Sequence, residues 1–365
     1  MIYLDNAATT LPKPPQVLQA VSQALTVCGS LGRGSHDAAR FASELAYECR
    51  VEASELFECD PEQVVFVYNA THGLNIAINT LVNEGDKVVV SAFEHNAVMR
   101  PLYAKKAKIV VAGKRLFDHM ETIDSFRRAI TEDTKAVICT HVSNVFGYVL
   151  PICEIADICA QYGIPFIVDA AQSAGVLPIS AKRLHSTFVA VPGHKGLFGP
   201  QGTGILICRD VLPKPIMYGG TGSMSLSMEM PEFLPDRLEA GTQNIHGIAG
   251  LLAGIRYVRS REKIFEHENA LIRKVSNHLC LERYRIFSSD GDLQSGVISI
   301  CPHHGSCEQL ASDLSEAGFA VRTGLHCAPL AHLTAGTRYT GTVRISVSAL
   351  TKSSDIDELI LFLNQ

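Results

Sequence analysis

Polar and ionisable residues stand directly after five apolar runs of this sequence. Asn69, Ala70, Thr71 and His72 follow VVFVY; Glu94 and His95 follow VVVSAF; Ser143 and Asn144 follow VICTHV; Asp169 and Gln172 lie in IVDAAQSAG; His194 and Lys195 follow FVAVPG. Singly, each has a structural explanation, Thr71 or Asp169 as a helix cap and His95 as a surface residue. Five run ends that all supply one point instead to a shared ligand site. Thr71 opens the helical pattern HGLNIAINTL, where a hydroxyl and free amides at a positive helix end suit a phosphate. Lys195 sits in VPGHKGLFGPQGTG, five glycines around one lysine. A Walker loop places its glycines before the lysine, whereas most of these follow it, and no G-x-G-x-x-G opens a helix after the first strand. Nucleotide and nicotinamide readings fall away. An aspartate at a strand end, a lysine on a glycine-lined loop and a phosphate site at a helix N-terminus remain, and they are the parts a pyridoxal phosphate enzyme needs. The lysine forms a Schiff base and must be partly desolvated. The carboxylate, for which Asp169 is the candidate, keeps the pyridine nitrogen protonated.

The elements that must position these residues follow from the alternation of short β-branched runs with helical patterns: VVFVY, KVVVS, KIVVA, KAVICT and PFIVD, and later GILIC. Such alternation predicts an α/β unit with a mostly parallel sheet flanked by helices. Strands buried on both faces are almost wholly apolar, as these are, and ligands sit beyond their carboxyl ends. From about Gly247 the pattern changes to one long helical stretch, IAGLLAGIRYVRSREKIFEHENALIRKVSNHL. The strand GVISI, the helix EQLASDLSEAG and the strands FAVRT and TVRISVS follow, a smaller α+β domain.

Composition narrows the classes. The 365 residues are 47% hydrophobic with a net charge of −5, enough for a sizeable core and without the basic stripe that tracks nucleic acid. No apolar run approaches the roughly 20 residues that span a bilayer. The N-terminus lacks a signal-peptide pattern, so a cytoplasmic protein with no membrane partner is expected. Eleven cysteines, an odd count with no C-x-x-C pair, suggest neither a disulfide framework nor a zinc ribbon. The cluster CPHHGSC, Cys301 to Cys307, reads as a β-to-α loop rather than a metal site.

In YLDNAATT, NATHGLN, EHNAV, HVSNVFG, VDAAQSAG, GHKGLFGPQGTG, LEAGTQN, VRTGLHCAPL and VRISVS, the sequence resembles the class V aminotransferase superfamily of pyridoxal phosphate fold type I. Within it the resemblance is to the cysteine desulfurases and selenocysteine lyases. It implies a large cofactor-binding domain over 14–250 and a small domain built from 1–13 and 251–365. It implies Lys195 as the Schiff-base lysine, His194 as a phosphate contact, Asp169 at the pyridine nitrogen and Gln172 as a donor to the ring oxygen. His95 resembles the histidine stacked on the ring, with a part in proton handling; Thr71 and the backbone of His72 resemble the phosphate cup. Asn144 and Arg344 are similar to the residues that receive the substrate carboxylate, a planar guanidinium fork being suited to it. Thr242 resembles a threonine given across a homodimer to the partner's phosphate. Cys327 matches the cysteine that attacks substrate sulfur, on a polar loop beside the imidazole of His326.

The expected reaction is therefore conversion of cysteine to alanine with a persulfide on Cys327, passed on to an acceptor protein. Selenocysteine lyase or another class V lyase or aminotransferase activity is the alternative, and a non-catalytic sulfur-carrier scaffold a third. Two positions depart from the relatives. Pro192 stands where many carry a serine phosphate ligand, leaving Thr221 or the partner's Thr242 to substitute, and Leu325 stands where a histidine often precedes the His-Cys pair.

Overall fold

In the computed structural model, which describes residues 1–32 and 34–365, strands and helices alternate from Val64 to Asp169. A short strand, β1 (Ile2–Tyr3), leads into α1 (Pro15–Val27) and α2 (Asp37–Phe57). Then come β2 (Val64–Val67), α3 (Ala70–Leu81), β3 (Lys87–Ser91), α4 (Asn96–Ala104), β4 (Lys108–Ala112) and α5 (His119–Ala129). These are followed by β5 (Thr134–Thr140), α6 (Ile152–Tyr162), β6 (Phe166–Asp169), β7 (Phe188–Pro192) and β8 (Gly204–Cys208). The sheet order is β2-β8-β7-β6-β5-β3-β4. From β4 across to β7 every neighbouring pair is parallel, and β8 alone runs against both of its neighbours. This is the mostly parallel sheet expected of the fold.

Alternation along the strands divides the interior in two. Val89, Val137, Val168 and Val189 face the core shared with α2, α5, α6 and α7 (Ile245–Arg259). Val88, Val90, Ile138, Ile167 and Ala190 face the core shared with α3 and α4. Both faces of the central strands are dry, which is why their sequences lack polar alternation.

The remainder of the chain builds an antiparallel sheet from β9 (Tyr284–Phe287), β10 (Val297–Pro302), β12 (Arg322–Gly324) and β13 (Thr342–Ser346), in the order β12-β13-β10-β9. Helices α8 (Ile264–His278), α9 (Cys307–Glu316) and α11 (Ser353–Leu363) share its core, and α10 (Pro329–Ala335) follows the Cys327 loop. A second small pairing joins β1 in parallel to β11 (Phe319–Ala320), with Ile2 opposite Phe319.

Three local expectations change. The long helical stretch breaks into α7 and α8 at Ser260 to Lys263, where Lys263 takes φ of 59°; the polar SREK has no apolar face to bury. FAVRT divides into β11 and β12, which pair in different sheets. YRIF forms β9, hidden in sequence by the helical residues before it.

Close backbone approach explains part of the glycine-rich stretch. A Cβ on Gly196 would stand 2.3 Å from the Ala174 carbonyl, and one on Gly254 of α7 would stand 2.1 Å from the Leu197 carbonyl. The Lys195 loop is thus clamped by its own chain on two sides. On the other flank, buried Arg50 of α2 pairs with Glu239 at 2.7 Å, stacks on Phe66 at 4.2 Å and bonds the Val64 carbonyl. Glu239 also accepts the Phe66 N–H at 2.7 Å. The pair thereby ties β2, which delivers the N-terminus of α3, to the segment carrying Thr242. Breaking a buried pair from one side costs about 3–5 kcal/mol. Arg50→Met is expected to lower unfolding free energy by about that amount in denaturant melts, more than Arg50→Met combined with Glu239→Leu.

Candidate active site

One cleft beyond the carboxyl ends of β3, β5, β6 and β7 is lined by Thr71, His95, Asn144, Asp169, Gln172, His194 and Lys195, together with Thr140 and Pro192. Strand register brings this about: Thr140 lies opposite Asp169, and Asp169 opposite Ala190 on the strand that runs on to Lys195. Enclosure lowers the Lys195 amine from 10.5 to about 8; the Arg344 guanidinium adds to this and Asp169 opposes it. Burial raises the Asp169 carboxyl above its ordinary range, while the Ala171 N–H, donating to Oδ1 at 2.9 Å, works the other way. Gln172 donates through Nε2 to the Ala7 carbonyl at 3.0 Å, so the YLDNAATT segment forms one wall.

His95 is the N-cap of α4. Its Nδ1 accepts the Ala97 N–H at 3.0 Å, and burial first, then the Lys195 charge, lowers it to about 4. A neutral ring whose Nδ1 accepts carries its proton on Nε2. His95 therefore presents a flat face and a donor, not a free base. Its neighbour Glu94 is fully enclosed. Glu94 Oε1 accepts the Thr140 N–H at 2.7 Å and bonds the Ser91 hydroxyl. Burial lifts it to about 8, so a proton stays on it at neutral pH. It braces β3 against β5 directly beneath the cleft.

The α3 end differs in detail from expectation. Asn69, not Thr71, is the N-cap, and its Oδ1 takes the His72 N–H at 2.9 Å. The His72 ring turns back, accepting the Tyr68 N–H at 3.3 Å and stacking on Tyr68 at 4.9 Å. The amides of Ala70 and Thr71, at the first positions of the helix, have no intrahelical acceptor, and Thr71 is exposed beside them. His72 lines a neighbouring depression with Gln243 and Asn244, next to which Thr242 is exposed. Thr221 bonds Ser223 at 3.1 Å and does not line the cleft.

Arg344 and Cys327 come in from the second sheet. Arg344, on β13, is 2% exposed; it donates to the Asn144 carbonyl at 3.0 Å and to Asp5 at 2.6 Å, and its Nε is buried without a partner. Part of its fork is therefore already engaged. Asn144 in turn donates through Nδ2 to the His326 carbonyl at 2.8 Å. His326 and Cys327 adopt φ of 47° and 57°, and the Cys327 carbonyl accepts the N–H of Asn96, the residue after His95, at 2.8 Å. The thiol is exposed. The His326 ring, adjacent to Cys327 in sequence, lies inward on Thr342 at 3.2 Å and is lowered to about 2 by burial.

A family model described as aminotransferase class-V matches residues 2–359. The chain belongs to this family. Class-V aminotransferases are pyridoxal phosphate enzymes. The chain is 32% identical over 347 residues to a probable cysteine desulfurase of Pyrococcus abyssi, covering 90% of this chain and 85% of that protein. It is 31% identical over 378 residues to a cysteine desulfurase of Haloferax volcanii, covering 99% and 88%. Among solved structures, an apo cysteine desulfurase from Thermococcus onnurineus superposes with a TM-score of 0.90 at 28% identity, covering 100% of this chain and 94% of that one. An Escherichia coli cysteine desulfurase in an S-sulfonic acid form gives 0.87 at 25% identity, covering 98% and 92%.

In this member of the family, sequence reasoning missed Lys13 and Asp5. Lys13 Nζ donates to the His194 carbonyl at 2.7 Å and the Thr10 hydroxyl at 2.6 Å, and burial lowers it to about 8. It sits between prolines in LPKPP, far from any strand end, and no local signal marked it. The cleft's electrostatics are testable through Lys195. Because enclosure disfavours the ammonium, the amine is mostly charged below about 8 and mostly neutral above it. Acetylation of Lys195 in the cofactor-free protein, followed by peptide mass mapping across pH, is expected to rise through about pH 8, while exposed lysines rise near 10.4.

Proposed function

We propose that this protein is a pyridoxal phosphate-dependent cysteine desulfurase that converts L-cysteine to L-alanine and keeps the sulfur as a persulfide on Cys327 for transfer to an acceptor protein. The observation that carries this reading is the backbone bond from Asn96 to Cys327. It ties Cys327, an exposed cysteine, to the residue after His95, which lines the cleft that holds a lysine with a lowered amine. The naming of the relatives agrees with it.

The residues fit the cofactor. Lys195 supplies an amine that is largely neutral above about pH 8. Asp169 is a buried carboxyl that a cation at its face would hold ionised. His194 Nδ1 is buried without a partner, and the first amides of α3, with the Thr71 hydroxyl, suit a phosphate. Lys13 brings a cation to the His194 carbonyl, while Pro192 offers neither hydroxyl nor N–H. When bound, pyridoxal phosphate supplies an electron sink conjugated to the substrate α-carbon. Lys195 would move the α-proton through its amine. His95 covers one face and donates through Nε2. Arg344, steadied by Asp5 and the Asn144 carbonyl, receives the carboxylate with Asn144. The Cys327 thiolate attacks substrate sulfur: an S–S bond forms, the substrate C–S bond breaks, and the electron pair left on carbon takes up a proton to give alanine.

The wider setting belongs to the same proposal. Thr242 serving a partner's phosphate, and hence a homodimer, is supported by the irregular segment 209–244, whose Tyr218, Met224, Leu226 and Met228 are exposed and suit burial by a second copy. The described cysteines are all free, which supports a reducing, cytoplasmic setting. No helix among the described residues is long and apolar enough to cross a membrane. The pairing of β1 with β11 supports a small domain that joins the segment 1–13 to the C-terminal region; a start at 251, against 14–250, falls inside α7, whose Leu251, Leu252 and Ile255 pack in the core of the large sheet.

Purified protein incubated with cysteine is expected to give alanine and sulfide in equal amounts under reducing conditions; pyruvate with ammonia instead would mean β-elimination. Cys327→Ala is expected to lose sulfide release while cysteine still perturbs the visible absorption of the bound cofactor. Undiminished sulfide production by that variant overturns the assignment of Cys327. Lys195→Ala is expected to lose the lysine-linked absorption.

A further inference from the structure

The CPHHGSC motif takes no part in the cleft, and the fold gives its four potential ligands different fates. His303 and His304 are exposed, with the His303 ring on the Leu281 carbonyl at 3.2 Å. Among the described residues no group of three His, Cys, Asp or Glu side chains is placed to hold a metal. The two thiols, however, are brought together. Cys301, near the end of β10, donates to the Gly341 carbonyl at 3.4 Å; Cys307, the first residue of α9, donates to the same oxygen at 3.8 Å. Cys307 is the first residue of a helix whose N-cap is Ser306, and the positive helix end favours its thiolate while burial opposes it. Cys301 is only half-buried and gives a reagent its way in.

We propose that Cys301 and Cys307 form a dithiol that hydroperoxides oxidise to an intramolecular disulfide, changing the support beneath the Cys327 loop. The Cys307 sulfur, as thiolate, attacks a peroxide oxygen that has entered past Cys301: an S–O bond forms, the O–O bond breaks, and water leaves, or an alcohol from an organic peroxide. The Cys301 sulfur then attacks the resulting sulfenic acid: the S–S bond forms, the S–O bond breaks, and a second water leaves. Two electrons pass from the dithiol to the peroxide, and each thiol gives up its proton. A dithiol reductant reverses the change.

The link to the loop is short. Oxidation takes both S–H donors away from the Gly341 carbonyl. Gly341 lies so close to Gly324 that a Cβ on it would meet the Gly324 backbone at 2.9 Å, and Gly324 ends the strand that leads into His326 and Cys327. Thr342, the next residue, holds the His326 ring, and the His326 carbonyl holds Asn144. The footing of the loop therefore runs through the residue that both thiols grip. None of this depends on the sulfur chemistry proposed for Cys327.

The test is peptide mass mapping of the full-length Cys327→Ala variant, which lacks the exposed competing thiol, after titration with hydrogen peroxide and alkylation of the remaining thiols. The peptide spanning Cys301 and Cys307 is expected to lose two hydrogens and escape alkylation. A His326 ring resonance is expected to shift over the same peroxide range, and dithiothreitol to reverse both. With Cys301→Ser added, or Cys307→Ser if that protein does not fold, the linked peptide and the His326 shift are both lost. Two alkylated thiols, or two separate sulfinic acids, after the half-buried cysteines elsewhere have reacted would overturn the pair. A disulfide formed while His326 stays unmoved would overturn the coupling.

Discussion

The register between β6 and β7 is the constraint on which the site depends. Asp169 ends one strand opposite Ala190 of the next, and five residues further on the chain must turn out of the sheet at Lys195. A slip in this pairing would move the whole side-chain set of a strand to the other face. Here both faces are packed, so the hydrophobic interior of the sheet fixes where the carboxyl and the amine meet. The clamp of Gly196 against Ala174 and of Leu197 against Gly254 carries that precision out into the loop.

Within this frame, burial decides protonation more than pairing does. Glu94, Asp169, His95 and Lys195 are each displaced toward their neutral forms by desolvation, and the neighbouring charges only modify that displacement. The cleft thus holds several ionisable groups at little electrostatic cost until a charged ligand enters. Arg344 cannot become neutral. It is accommodated by Asp5 and the Asn144 carbonyl instead, a partnership that removing either side would leave uncompensated.

Much of this was legible in the sequence because parallel strands buried on two faces announce themselves as uninterrupted apolar runs, and their ends identify the rim. His95, Asn144, Asp169 and Lys195 are found by that rule alone. What escaped depends on pairings far apart in the chain or on competition at one atom. Asp5 meets Arg344 across 339 positions, and Lys13 reaches His194 from between two prolines. The His72 amide is taken by the Asn69 cap, and the His326 imidazole, adjacent to Cys327 in sequence, turns to Thr342 instead. YRIF failed as a strand signal because four residues after a helix carry too little alternation to register. FAVRT read as one strand because sequence does not say which sheet each half joins.

The parallel pairing of β1 with β11, and of Asp5 with Arg344 just beyond it, sets an order of assembly. During synthesis the seven-stranded sheet has all of its strands once Cys208 has emerged, and its contacts are mostly between neighbouring segments. The N-terminal residues, in contrast, wait for a strand and an arginine made more than three hundred positions later. Until then the Gln172 wall at Ala7 has no anchor behind it, and the arginine that completes the cleft has not been made. A nascent chain can therefore hold a folded scaffold without a working pocket, and the later segment acts as the latch that completes it.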